Sequence, residues 1–167
     1  MLQFSARATL LAAMLLLAPA FATAKTWTIP DPNPVAVVTI PDDWDTTKLK
    51  YGVETTSEDE DIYLAIEGTD GSSIEKDMEH SIEWLVSKGV KIDAKSLKQE
   101  PFKLNDMDGI INRWDAKDDD GATQVFLIIV QTSDKKGLMI TAWGTEEAQK
   151  ENKDELTAIM KSIRAVK

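Results

Sequence analysis

Polar and apolar residues alternate along this chain with two distinct periods, and the stretch 124–144 organises the rest. Residues 125–130 are six apolar residues in a row, rich in β-branched side chains. A strand sends successive side chains to opposite faces, so Val125, Leu127 and Ile129 point one way and Phe126, Ile128 and Val130 the other. Both faces are apolar, which predicts a central strand covered on both sides. A turn, TSDKKG, leads into a second strand over 138–143. Upstream, Trp27, Thr28 and Ile29 form a short apolar start. Three prolines within residues 30–34 break it, since proline cannot donate to a ladder. Residues 35–40 read as a strand ending in a turn at Pro41, with Trp44 behind it. Leu49, Tyr51 and Val53 alternate with polar neighbours and predict a half-buried strand. Residues 62–66 predict the next, stopped by Gly68 and the pair Asp70 and Gly71.

The period then changes. Ile74, Met78, Ile82, Leu85 and Val86 recur at spacings of three and four, which predicts a helix over 73–88. Ser72 or Ser73 supplies the N-cap, and Gly89 the C-terminal stop. Phe102 and Leu104 predict a strand, residues 105–109 a turn, and residues 109–117 the partner strand. Asp118, Asp119, Asp120 and Gly121 mark a hairpin tip of the Asp-Gly kind. Thr145 caps a closing helix, with acids in its first turn and Ala148, Leu156, Ile159, Met160 and Ile163 as its stripe. Tight turns join antiparallel neighbours. The expected fold class is therefore α+β, an αβα sandwich over a mainly antiparallel sheet with one helix on each face.

Residues 1–24 are expected to stand outside this fold. Arg7 is followed by an apolar run over 8–18, then Pro19 and the small-x-small pattern Ala22, Thr23, Ala24 before Lys25. This predicts a Sec-type signal peptide cleaved between Ala24 and Lys25, and a periplasmic or secreted protein. The run is shorter than the roughly 20 residues of a membrane span. No twin arginine precedes it, and no cysteine follows it to carry a lipid. Residues 25–167 then form a single domain of 143 residues, large enough for a core without staples. The chain has no cysteine, which excludes thiol catalysis, thiol redox chemistry and cysteine metal sites. Only Arg7 leaves with residues 1–24, so 18 basic residues face 29 acidic ones, a net charge of −11. That charge argues against nucleic acid and anionic membrane surfaces as partners.

Several segments are similar to those of a known family. Residues 38–44, VTIPDDW, resemble the strand-Ile-Pro-x-x-Trp opening of the Mog1/PsbP-like proteins. Gly109 in a turn, a charged hairpin ending in Gly121, the strands QVFLIIVQ and GLMITAWG, and a C-terminal helix ending over 156–163 follow in that family's order. The resemblance spans about residues 27–165. It implies an αβα sandwich and a binding or accessory role, because known members are mostly non-enzymatic, with different partners. No residue pattern of the photosystem or nuclear-transport members is evident, so it implies no particular partner.

Candidate chemistry is sparse. His80 is the only histidine. Asp77 and Glu83 lie three residues either side of it on the same helical face. A metal or catalytic reading competes there with the wet flank of an amphipathic helix, and the wet flank is favoured. No Gly-x-Ser-x-Gly elbow supplies a nucleophile. Asp115, Asp118, Asp119 and Asp120 fail the EF-hand spacing, which places Ala116 first and Leu127 twelfth; a hairpin tip accounts for them better than a weak cation site. Five tryptophans are present, Trp27, Trp44, Trp84, Trp114 and Trp143. Trp44 and Trp84 are expected to be partly exposed. With the acidic turn Glu58, Asp59, Glu60 and Asp61, they make the candidate interaction surface for an unknown protein partner or small ligand. No cofactor is implied. An exported binding or accessory protein leads; a carboxylate-based hydrolase and a weak divalent-cation binder remain the alternatives.

Overall fold

The computed structural model describes residues 23–30, 32–70 and 72–166. The apolar run at 8–18, its cleavage motif as far as Ala22, Asp31 and Gly71 lie outside the described residues. Two antiparallel sheets and three α-helices make up the described residues. The larger sheet has eight strands: β3 (Asp45–Lys48), β4 (Gly52–Thr56), β5 (Ile62–Asp70), β6 (Lys91–Ile92), β7 (Lys98–Leu104), β8 (Met107–Asp118), β9 (Gly121–Ser133) and β10 (Lys136–Gly144). Their order is β3-β4-β5-β10-β9-β8-β6, with β7 also paired to β8. The smaller sheet joins β1 (Ala24–Ile29), β2 (Ala36–Pro41) and β11 (Arg164–Ala165), with β2 in the middle.

β9 is central, as its two apolar faces require. Val125, Leu127 and Ile129 pack in one core with Leu85, Val90, Trp114 and Met139. Ile128 and Val130 join another, with Ile66, Leu138, Ile140, Ile159 and Ile163. Helix α1 (Ile74–Ser87) covers the first of these faces. Helices α2 (Glu146–Glu151) and α3 (Lys153–Ser162), together with the small sheet, cover the second. The sandwich read from the sequence is thus present, with a second sheet in one outer layer that the sequence reading did not anticipate. It forms because β2 pairs with β1 on one edge and with β11, just after α3, on the other.

Local differences have simple causes. Leu49 to Tyr51 are not a strand. They form the turn between β3 and β4, closed by Leu49 N–H donating to the Gly52 carbonyl at 2.9 Å. The strand before them, β3, is short and mostly exposed, with no apolar alternation to reveal it. Gly68 does not stop β5, which continues to Asp70. Instead it admits Pro30 from the small-sheet layer: a Cβ on residue 68 would lie 2.7 Å from Pro30 Cδ. The turn after β7 is confined to Asn105 and Asp106, where Asn105 takes a positive φ of 53°, and Gly109 lies inside β8. Ser73 precedes α1 without capping it; its hydroxyl donates to Asp77 instead, at 2.8 Å. Gly89 ends α1 with φ 91°, a conformation in which a side chain is strained. Thr145 caps α2 as expected, its Oγ1 accepting from Ala148 N–H at 3.1 Å. The closing helix is broken in two at Asn152.

Candidate functional site

Helix α1 does not span the whole sheet. Its apolar stripe settles over β8, β9 and β10, where Leu85 and its neighbours find Trp114, Leu127 and Met139. Strands β4 and β5 therefore present their α1-side residues to an open groove of about 520 Å³. From β5 the wall receives Tyr63, Ala65, Glu67 and Thr69, and from β4 it receives Glu54. The facing helix contributes Lys76, Asp77, His80, Ser81 and Trp84, and the turn 49–51 closes one side. The opposite side of β5 carries Ile62, Leu64 and Ile66, all buried. Period-two alternation thus leaves one side of β5 dry and the other partly wet, at Tyr63 and Glu67. The volume lies in the range of small-molecule sites.

Aromatic rings form one wall. The Trp84 and Tyr63 rings stack with centroids 4.6 Å apart and an interplanar angle of 25°. Trp143 approaches Tyr63 at 6.3 Å in a tilted arrangement. The Tyr63 hydroxyl donates to Glu54 Oε2 at 2.9 Å. Burial, then this carboxylate, pushes the phenol far above its ordinary value, so Tyr63 acts only as a neutral donor. Asp77 accepts from the hydroxyls of Thr69 and Ser73. Glu67 differs from both. No hydrogen-bond donor among the described residues reaches its carboxylate. Burial holds its pKa above the ordinary carboxylate value, and Asp77 and Glu54 push the same way, while His80 opposes them.

The residues singled out from the sequence fall in five separate places. Trp84 and His80 meet in the groove with Asp77; Glu83 does not line it. Trp44 corrects the expectation of exposure: it is 3% exposed, and its indole N–H donates to Glu155 Oε2 at 2.5 Å, tying the β2–β3 turn to α3. An aromatic directly after a turn is drawn inward here because α3 offers both an apolar bed and an acceptor. Glu58, Asp59, Glu60 and Asp61 form the exposed β4–β5 turn, and none of them lines the groove. Asp59 accepts from the Ser57 hydroxyl and from Asn152 Nδ2, which together hold its carboxyl below the usual range. That turn thereby braces the break between α2 and α3. At the β8–β9 hairpin, Asp118 accepts from the backbone N–H groups of Asp120 and Gly121 and from the Trp143 indole. These bonds account for the hairpin without an ion. The Ala24–Lys25 bond lies within β1, where Ala24 pairs with Pro41.

Tyr63, Glu67 and Glu54 were not singled out by sequence reasoning. One signal was available: over 62–69 the apolar residues Ile62, Leu64 and Ile66 alternate with Tyr63, Ala65, Glu67 and Thr69, the pattern of a strand with one wet face. A second cleft, about 200 Å³, lies on the other face between β9, β10 and α2–α3, among Phe126, Ile128, Leu156 and Met160. It is almost wholly apolar. Among the described residues no group of three or more histidine, aspartate or glutamate side chains is disposed to hold a metal ion.

No protein-family model matches the chain, and no curated protein matches it in sequence. Solved structures do match in shape. Cyanobacterial PsbP from Synechocystis aligns over 89% of this chain and 95% of its own, with a TM-score of 0.59 at 9% identity. LpqN of Mycobacterium tuberculosis, described as involved in cell envelope biogenesis, aligns over 86% and 92%, with a TM-score of 0.51 at 12% identity. A Bacteroides thetaiotaomicron protein aligns over 86% of this chain and 48% of its own length, with a TM-score of 0.56 at 14% identity. The chain has the PsbP-like fold, an α+β sandwich on a large antiparallel sheet. Among the described residues no helix is long and apolar enough to cross a membrane.

Proposed function

We propose that the chain is an exported binding or accessory protein that holds a small ligand, or a segment of a partner protein, in the groove between α1 and strands β4 and β5. The observation that carries this reading is the groove itself, with its volume of about 520 Å³, its Trp84–Tyr63 wall and a partly buried carboxylate that no donor among the described residues reaches. A stacked aromatic pair beside a partly buried carboxylate offers both contact area and a point of orientation. The expected signal peptide supports export, and the envelope role stated for LpqN supports an accessory task outside the cytoplasm. Sequencing the N-terminus of the exported protein tests the first part: Lys25 is expected at its start. Cross-linking the tagged protein in its compartment tests the second. A partner or ligand captured by the wild type is expected to be lost in His80→Trp, which fills the groove from an exposed position on α1. Capture that persists in His80→Trp overturns the assignment to this groove.

A second reading has one observation in its favour. Carboxylate-based hydrolysis needs a pair of acids with separated pKa values, and the raised Glu67 stands within the field of Glu54 and Asp77. Assay of the mature protein against broad hydrolase substrates decides it. Turnover that disappears in Glu67→Gln, with the fold intact, would replace the binding reading.

A further inference from the structure

We propose that the groove recognises a positively charged nitrogen group, an ammonium or guanidinium carried on an apolar stem. This rests on the groove being a binding site and names the chemistry it selects.

Three carboxylates line the groove, and they are not equivalent. Asp77 is held by two hydroxyls and Glu54 by the Tyr63 phenol, all neutral donors. Glu67, on β5, feels both of these as like charges. His80 is the basic group whose charge opposes theirs. Lys76 and Lys50 also line the groove, and the Lys50 ammonium sits 4.7 Å from the centre of the Tyr51 ring. The bland account is that Glu67 takes up a proton and nothing more.

Three classes of occupant can be compared. An anion would meet three carboxylates in the same space, against two lysines, Lys50 and Lys76. A neutral apolar molecule would complete the desolvation of Glu67 and leave its carboxylate unpaired, which is costly. A cation gives Glu67 a charge-assisted partner and relieves its repulsion with Glu54 and Asp77 at once. The stem has its own surface in Ala65, Met139, Tyr63 and Trp84. The chain's net charge of −10 draws cations toward it over a longer range.

One chemistry admits two sources, a free amine and a lysine or arginine side chain of a partner polypeptide. Calorimetric titration of the mature protein near neutral pH and at low salt tests it, with hexylamine, agmatine, hexanol and hexanoate as probes. An extended peptide containing lysine and arginine, and its norleucine counterpart, complete the set. The amines or the basic peptide are expected to bind saturably, about tenfold or more tighter than their neutral and anionic counterparts. Glu67→Gln is expected to remove that preference, and added salt to weaken it. Binding of the small amines assigns a free ligand; binding of the basic peptide alone assigns a partner side chain. Equal binding of hexylamine and hexanol and of the two peptides, or an undiminished preference in Glu67→Gln, overturns the proposal. If Glu67→Gln melts markedly below wild type, Glu54→Gln carries the same test. A partner lost in His80→Trp without any preference for cations overturns this inference alone and leaves the binding role standing. Neither a ligand nor such a partner overturns both.

Discussion

The two faces of the large sheet are built from the same strands and end as opposite environments. On the face under the small sheet and α3, β5 and β10 contribute Ile62, Leu64, Ile66, Leu138 and Ile140, each at most 2% exposed. On the face under α1, the same strands contribute Tyr63 and Glu67, which stay partly exposed in an open groove, and Ala65, Thr69, Met139 and Thr141, which line it but are buried. The difference is one of coverage. A three-stranded sheet with two helices covers one side apart from a small apolar cleft beside α3, whereas a single helix on the other side reaches β5 and β10 but leaves the groove along β4 and β5 open. Where cover is complete, apolar burial supplies stability; where it stops, polar groups remain with partial solvent and are free for recognition.

Substitution can break this contrast, and the largest effect is expected on the closed face. Ile140→Ala should cost about 3 kcal/mol, within the usual range for a fully buried isoleucine, read as a lower urea midpoint with an unchanged slope. A result below about 1 kcal/mol would mean that this face is less tightly packed than its burial implies. Gly68→Ala should follow at about 2 kcal/mol, because the added Cβ meets Pro30 and the small-sheet layer must shift. On the open face, Tyr63→Phe should cost about 1 kcal/mol, since the Glu54 carboxylate it abandons is only half-buried and can turn to water. Equal costs for Ile140→Ala and Tyr63→Phe would erase the distinction between the faces.

The smallest effect is a dependence on pH, and its sign separates the two kinds of acid. Glu67 has its folded pKa raised above the ordinary 4.5, so the folded chain binds its proton more tightly than the unfolded chain does. Its favourable contribution is complete below the unfolded value and is lost as pH rises through the folded one. Asp59 and Asp70, held low by hydroxyl and backbone donors, act in the opposite sense: their contributions are present above the ordinary 3.8 and lost as pH falls through their lowered values. Urea melts across the acid range should therefore show a decline above the ordinary carboxylate value that vanishes in Glu67→Gln. The fall at lower pH should remain in that variant. A wild-type and Glu67→Gln pair with identical pH profiles would show that Glu67 is solvated after all.

The central strand, α1, the Asp118 hairpin and the Thr145 cap were legible because each is set by neighbours close in sequence. Periodicity, a turn residue or a hydroxyl three positions from an N–H suffices for each of them. Trp44 and Glu67 were not legible in that way. Trp44 is buried by Glu155, 111 residues further on. Glu67 is partly buried because α1 lies beside it without closing over it, a fact about the width of α1 against the width of the sheet.

The sequence by itself determined the class of fold, the central place of β9, the positions of the helices and the expectation of export. These depend on apolar period, turn chemistry and composition, which are properties of short segments. Only the tertiary structure decided that a second sheet roofs one face, that the acidic turn at Asp59 braces α2 and α3, and that Trp84, Tyr63 and Glu67 share one groove. Those outcomes depend on which surfaces meet and how far each cover extends, and no local pattern encodes the reach of one layer over another.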